Sequence, residues 1–179
     1  MTVDSADFPI WEPRPYCKIG SAIWYSPKFK GAGLRYELGV CIQTGDIVWF
    51  NGPYPCGWGP DIKIFNQRLR HLLLPFEKIM ADRNYRNCLK CYTRCNVEKY
   101  LDRENNVKTK KYMAISRALA RHETINGRMK EFSILRNVYR CDRDKHFFVF
   151  SAIAALTQIE MMKERPVFEV TEYRDLIIL

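Results

Sequence analysis

The sequence has no run of apolar residues long enough to cross a bilayer. The longest such run, FFVFSAIAAL at 147–156, has about half of the ~20 residues that a membrane-spanning helix needs, and it indicates a buried helix. The first ten residues, MTVDSADFPI, also lack the basic and apolar regions of a secretory signal. We therefore expect no membrane segment, and reduced thiols in the cytosol or nucleus for the seven cysteines.

Acidic residues are few compared with basic ones: 20 against 29, which gives a net charge of +9. The excess is concentrated in residues 83–111, which hold nine Lys and Arg and three acids. A local basic segment is typical of a surface that binds a phosphate backbone. A solvated loop is the alternative, whereas an acidic membrane surface fits less well because no apolar face accompanies the charges.

A possible zinc site lies inside this basic segment, where Cys88, Cys91 and Cys95 are spaced C-x2-C-x3-C. Zinc needs a fourth ligand, which Cys141 or His146 could supply only if the fold brought it close. One CxxC without a second pair favours ordinary thiols.

Hydrophobic periodicity predicts an α/β domain. LRYELGVCI at 34–42 alternates apolar and other residues, as a half-buried strand does, and a turn at 43–46 leads to a returning strand. Gly and Pro place a loop at 51–60, and a helical pattern begins at Asp61. The predicted elements are strands near 2–10, 34–42, 47–50 and 77–82, helices from 61 to 74, 112–139 and 143–163, and a candidate edge strand at 166–173. This order favours a sheet with helices packed on it, in one domain spanning 1–179.

Three carboxylates lie on or next to predicted strands, or on the helix that follows them. Asp4 lies on the first strand, Asp82 ends the fourth strand and Glu123 lies on the next helix. Ligands bind at strand ends of α/β sheets, and converging carboxylates suit Mg²⁺ or Mn²⁺. Two such ions can clamp an in-line phosphodiester displacement.

Each acid also has a purely structural interpretation. Asp61 after Pro60 is a good helix N-cap. Asp7 could be a solvated acid at a strand end, and Asp82 a turn former. Glu123 could be ordinary surface charge.

The segment RHETINGRMK at 121–130 has a helical phase that separates its charges. At ~100° per residue, an apolar stripe is formed by Ile115, Ala118, Leu119, His122, Ile125, Met129 and Phe132. Glu123 and Lys130 share a line at the border of this stripe. His122 lies inside the stripe, which favours packing rather than catalysis for its side chain. Arg117, Arg121 and Arg128 occupy the other flank, where they would meet DNA backbone or water.

Several motifs, in this order, resemble the catalytic domain of PIF/Harbinger-type transposases and their host-derived nuclease relatives, a branch of the Asp-Asp-Glu, RNase H-like superfamily. They are VDSADFPI, YSPKFKGAGLRYELGVCIQTGDIVWFNGPYPCGWGPDIKIF, ADRNYR, ARHETINGRMKEFSILRNVYR and KHFFVFSAIAALTQI. The resemblance covers nearly the whole chain. It implies a mixed sheet with flanking helices and a nuclear endonuclease that cuts DNA with Mg²⁺ or Mn²⁺, by water attack and by attack of a 3′-hydroxyl.

The same resemblance assigns roles to individual residues. It implies Asp4, Asp82 and Glu123 as catalytic metal ligands and Asp61 as a further acid at the site. Lys130 matches a family lysine that would contact DNA. The basic segment adds candidate DNA contacts at Arg83, Arg86, Lys108, Lys110 and Lys111.

The chain also departs from the family pattern. Ser5-Ala6 stands where relatives carry Gly-Thr, and Asn84 replaces a Gly whose positive φ Asn tolerates. Only three residues precede Asp4, which predicts a clipped first strand and a missing N-terminal DNA-binding region. The alternative function is therefore an inactive, domesticated or decayed fragment that binds DNA or protein. A separate DNA-binding subunit and a homo-oligomer stay open as partners.

Overall fold

The fold places one sheet between helices. The computed structural model describes residues 1–12, 22–86, 88–93 and 105–170, without the side chains of 105–111. The strands are β1 (Thr2–Pro9), β2 (Tyr25–Ser26), β3 (Gly31–Val40), β4 (Ile47–Pro55), β5 (Ile79–Ala81) and β6 (Cys91–Tyr92). The helices are α1 (Asp61–Gln67), α2 (Leu69–Leu72), α3 (Asn105–Met129), α4 (Ser133–Arg136) and α5 (His146–Lys163).

The sheet has six strands in the order β2-β3-β1-β5-β6, and β4 also pairs with β3. β1 pairs with β3 antiparallel along its whole length and with β5 in parallel. β5 and β6 are parallel as well. The predicted mixed α/β sheet with flanking helices is therefore confirmed.

Helices cover both faces of this sheet. Alternate residues of β1 separate the two sides: Ala6 and Phe8 belong to the main core with α3 and α5, whereas Val3 packs with Phe65 of α1. Side chains alternate along a strand, so Ser5 and Asp7 share the α1 face, and Asp4 lies on the α3 face.

The predicted strand at 34–42 is confirmed, but its half-buried character is wrong. Every residue from Gly33 to Val40 is buried, because Arg35 and Glu37 point into a covered face instead of into water. The loop predicted at 51–60 is wrong in its first half. β4 continues to Pro55, since pairs such as Leu34 with Pro55 extend the ladder to β3.

The predicted long helix at 112–139 needs correction at both ends. α3 starts at Asn105 and stops at Met129, where Lys130 N donates to Gly127 O at 3.0 Å, in a tighter turn that ends the helix. The basic segment 83–111 is therefore not one loop, since it contains β6 and the start of α3. The described part of the candidate edge strand, 166–170, is not a strand.

The apolar run at 147–156 lies in α5, which is buried on one side only. Phe150 is 1% exposed and Phe148 is 70% exposed. Among the described helices, none combines the length and hydropathy of a membrane span.

Candidate active site

Asp4 lies on β1, and Asp82 directly follows the adjacent parallel strand β5. Val3 of β1 pairs with Ala81 of β5, so each aspartate is the next residue after this pair. Adjacent strands lie about 4.8 Å apart, so the two aspartates lie side by side where β5 ends. Asp82 also accepts a hydrogen bond from Arg83 N at 2.6 Å, so it initiates the turn Arg83–Tyr85 as its structural interpretation predicted.

The Asp4 carboxyl is electrostatically unfavourable as an anion. Burial raises its pKa to about 6, and the charges of Asp61 and Asp82 raise it too, while the Ser5 backbone and Lys28 oppose the shift. A carboxylate whose pKa is raised by neighbouring acids is stabilised by a cation placed among them. Hard oxygen donors of this kind fit Mg²⁺ or Mn²⁺.

Glu123 lies on α3, directly after a residue that contacts β1. The preceding residue, His122, is 1% exposed, and its Nδ1 lies 3.0 Å from Thr2 Oγ1. Burial lowers the His122 pKa to about 4, so the ring is neutral and packed, as predicted. The Glu123 side chain is exposed, and no three Asp, Glu, His or Cys side chains in the described part of the chain come together as a metal-binding group.

Asp61 is not a helix cap, which corrects the structural interpretation of this residue. Pro60 occupies the N-cap position of α1, and the cap has no side-chain hydrogen bond. Instead, Asp61 Oδ1 lies 3.0 Å from Arg35 Nη1. The contact is a charge interaction without good hydrogen-bond geometry, and burial raises the Asp61 pKa despite it.

Asp7, expected to be a solvated acid, is instead at the centre of a buried polar network. Its carboxylate accepts from Arg35 Nε at 2.7 Å and Nη2 at 3.1 Å, and from Ser26 Oγ at 2.6 Å. These bonds hold the Asp7 pKa below its usual range although burial opposes them. Asp7 faces Arg35 because the two residues are paired in the β1–β3 register.

Glu37 is a third buried carboxyl on this face, and it forms no ion pair within the described residues. It is 0% exposed, Oε2 accepts from Trp49 Nε1 at 2.9 Å, and Oε1 has no hydrogen-bond partner. Burial raises its pKa to about 7, and the nearby Asp61 adds to the shift. Sequence reasoning missed Arg35 and Glu37, since alternation assigned both to the solvent side.

Two lysines approach Asp4 from different elements. Lys130, at the end of α3, lies with Nζ 5.4 Å from the Phe8 ring centroid. Burial and the charge of Lys28 lower its pKa, and Asp7 and Asp4 raise it. Lys28, on the loop between β2 and β3, donates from Nζ to Ser5 O at 3.2 Å. Lys28 lies inside the quoted motif that begins YSPKFKGAG, but neither periodicity nor the resemblance assigned it a role at the site.

All three arginines on this flank of α3 donate to backbone carbonyls, but only Arg121 is buried, whereas Arg128 is half-buried and Arg117 is exposed. Arg121 is 2% exposed and donates to Cys41 O at 3.0 Å and to Ile42 O. Arg128 donates to Arg165 O, and Arg117 Nη2 donates to Glu169 O at 3.2 Å.

The candidate DNA contacts of the basic segment lie in two places. Arg83 and Arg86 are exposed beside Asp82. Lys108, Lys110 and Lys111 lie on the first turns of α3, and their side chains are outside the described residues.

The cysteine cluster is described only in part. Cys88 and Cys91 are free thiols, half-buried and buried respectively, whereas Cys95 lies outside the described residues. The zinc interpretation therefore stays untested.

Comparison with known proteins gives one match. The family model described as DDE superfamily endonuclease matches residues 3–158, a range that contains all four candidate acids and Lys130. Neither curated proteins nor solved structures give a significant match.

Proposed function

Since the chain belongs to the DDE superfamily endonucleases, we propose that it is a transposase-derived nuclease that cleaves DNA with a divalent metal. The observation that carries this proposal is the position of Asp4 on β1 beside Asp82, which directly follows the parallel strand β5, with the pKa of Asp4 raised to about 6. The strand order, antiparallel on one side of β1 and parallel on the other, supports an RNase H-like assignment. The motifs quoted above support the PIF/Harbinger subtype, and with it a nuclear location.

Asp4 and Asp82 would hold Mg²⁺ or Mn²⁺, with Glu123 as the third acid. When bound, the metal supplies a Lewis acid for the scissile phosphate and lowers the pKa of the attacking water. Lys28 and Lys130 would neutralise phosphate oxygens of the DNA beside these acids. The contact with Arg35 holds the Asp61 carboxylate in place, and its charge raises the pKa of Asp4. In this proposal Asp61 acts on the site through its charge rather than as a free metal ligand.

A nicking assay on supercoiled plasmid tests this function. We expect nicking that requires Mg²⁺ or Mn²⁺ and is lost in Asp82→Asn and Glu123→Gln. Glu164→Gln, which changes an exposed acid after α5, is the matched control and should keep full activity. Undiminished nicking by Asp82→Asn would show that the acids are wrongly assigned.

A second candidate is a non-catalytic DNA- or protein-binding module. It is favoured by one observation, that no three-ligand metal group is assembled among the described residues. Retained DNA affinity without any rise in Tm on adding Mn²⁺ would support the module, because a ligand that binds only the folded state must raise stability. A metal-dependent rise in Tm that disappears in Asp82→Asn would support the nuclease.

A further inference from the structure

A second surface with nucleic-acid chemistry lies at the far end of β1. Trp11 N donates to Tyr139 O at 2.8 Å, and Tyr139 N donates to Pro9 O at 3.0 Å. These bonds join the segment after α4 to the end of β1. The segment that carries Trp11 is thus hydrogen-bonded directly beside the segment that carries Arg140.

Two tryptophans at this end each carry an arginine over the ring. Arg140 Cζ lies 5.2 Å from the Trp11 ring centroid, and Arg143 Cζ lies 4.4 Å from that of Trp24. Trp11 is 49% exposed, so a large part of its indole stays accessible. Guanidinium–indole pairs present a flat, cationic surface on which a nucleobase can stack.

The same residues line a surface groove. One depression, of about 280 Å³, is lined by Ile10, Trp11, Glu12, Tyr139, Arg140, Cys141 and Arg143. The next, of about 620 Å³, is lined by Pro9, Arg136, Asn137, Val138 and Arg140. Arg140 lines both, so the two depressions are adjacent, and the surface that they make together is here called the tryptophan–arginine groove.

The arginines of this groove are available to an anionic ligand. Arg136, Arg140 and Arg143 are exposed, and within the described residues none of them forms an ion pair. The acids nearby are Glu12, Asp142 and Asp144. Asp142 is already used by its own turn, where Oδ1 accepts from Asp144 N at 3.1 Å.

We propose that the tryptophan–arginine groove binds single-stranded DNA, with a base stacked on Trp11 and phosphates on Arg136, Arg140 and Arg143. A duplex fits less well, because its bases are stacked on one another and cannot reach an indole, whereas unpaired bases can. The charge is also modest for a surface that binds by phosphate contacts alone.

The position of the groove relates it to the proposed cleavage site, and this step rests on the proposed function. Seven residues of extended chain separate Asp4 from Trp11, or about 23 Å at 3.3 Å per residue. A DNA strand that keeps the spacing of duplex DNA, about 3.4 Å per nucleotide, covers that distance in about 7 nucleotides. The groove would therefore hold the single-stranded flank of DNA whose scissile bond lies near Asp4.

The test is anisotropy of fluorescein-labelled oligo(dT) of 12 nucleotides, titrated in EDTA so that no cleavage occurs. We expect Trp11→Ala to weaken binding by about 5-fold or more, as loss of one stacked base does, and Trp11→Phe to restore most of it. Trp58→Ala is the matched control, because Lys63 Nζ lies 3.8 Å from the Trp58 ring centroid in the same type of pair elsewhere. Affinity for a 12-base-pair duplex should change by less than about 2-fold in Trp11→Ala, because a duplex offers no unpaired base to stack.

Equal losses of affinity in Trp11→Ala and Trp58→Ala, or no binding of the oligonucleotide by the wild type, would overturn the proposal that this groove binds single-stranded DNA. If Trp11→Ala does not fold, Arg140→Ala, which changes an exposed side chain, must show the loss instead. Because the readout needs no metal and no cleavage, it is independent of the proposed activity. Oligonucleotide binding without plasmid nicking would refute the nuclease alone, and the reverse result would refute the groove alone.

Discussion

Arg35 Nη1 lies 3.0 Å from Asp61 Oδ1 on the buried α1 face of the sheet. Nε and Nη2 of the same guanidinium donate to Asp7, and Nη1 donates to Gly59 O at 3.0 Å. Within the described residues, Arg35 is the ion-pair partner of both of these buried acids, and Glu37, the third buried acid on this face, forms no ion pair. This shortage of positive charge on the α1 face determines how the fold responds to substitution and to pH.

Asp7→Asn should destabilise the protein strongly. The substitution leaves the Arg35 guanidinium buried without its bidentate carboxylate, and breaking a buried pair in this way costs about 3–5 kcal/mol. Urea unfolding at pH 7 measures the change. Glu164→Gln, at an exposed position, is the control and should stay within about 0.5 kcal/mol. A similarly small effect at Asp7 would show that the buried ion pair does not stabilise the fold.

Glu37→Gln should stabilise the protein at high pH only. The folded pKa of Glu37 is about 7 against an ordinary 4.5, so the folded state binds this proton more tightly than the unfolded state. The wild type is then most stable below the ordinary pKa and loses stability as pH rises through about 7. The variant lacks this loss, so its advantage should grow by on the order of 2–3 kcal/mol between pH 4.5 and pH 8.

The measurement for Glu37 is urea unfolding of both proteins across that pH range. Asp4, whose pKa is raised to about 6, contributes in the same direction but is common to both proteins, so their difference isolates Glu37. Glu164→Gln serves as the exposed control. A pH-independent difference between Glu37→Gln and the wild type would mean that the buried carboxyl does not titrate as argued.

Much of the fold could be predicted because it follows from local patterns. Alternation found β3, and the rule that ligands bind at strand ends placed Asp4 and Asp82 together. The helical phase correctly placed His122 in the apolar stripe. These features depend on residues close in sequence, or on a general property of α/β sheets.

The rest depends on contacts that no local pattern contains. Arg35 and Glu37 looked solvent-facing because a charged residue in a strand usually is, and only the distant Asp7 and Trp49 make their burial possible. Arg121 looked like a DNA contact for the same reason, although its partners, the carbonyls of Cys41 and Ile42, are about 80 positions away. Lys28 lies on a loop, where periodicity has nothing to detect.

Lys28→Ala should weaken DNA binding and slow nicking, since Lys28 and Lys130 approach Asp4 together. Removing one phosphate contact should lower the slope of log affinity against log salt by about 1. Lys163→Ala, at the end of α5, is the control and should leave both quantities unchanged. A Lys28→Ala protein with the salt slope and nicking rate of the wild type would show that this lysine has no role in binding DNA.

Arg121→Ala should lower the stability of the protein, whereas Arg86→Ala should weaken its binding to DNA. Arg121 is buried and donates to the carbonyls of Cys41 and Ile42. Its loss removes both bonds, although Cys41 O still accepts from Gly45 N, and should lower stability by about 1–3 kcal/mol. Arg86 is exposed next to the proposed site, so its loss should leave stability within about 0.5 kcal/mol but reduce the salt slope of DNA binding by about 1. Urea unfolding and anisotropy at several salt concentrations measure the two effects. A folded, fully stable Arg121→Ala protein with a reduced salt slope would restore the interpretation of this arginine as a DNA contact and would contradict the structural role.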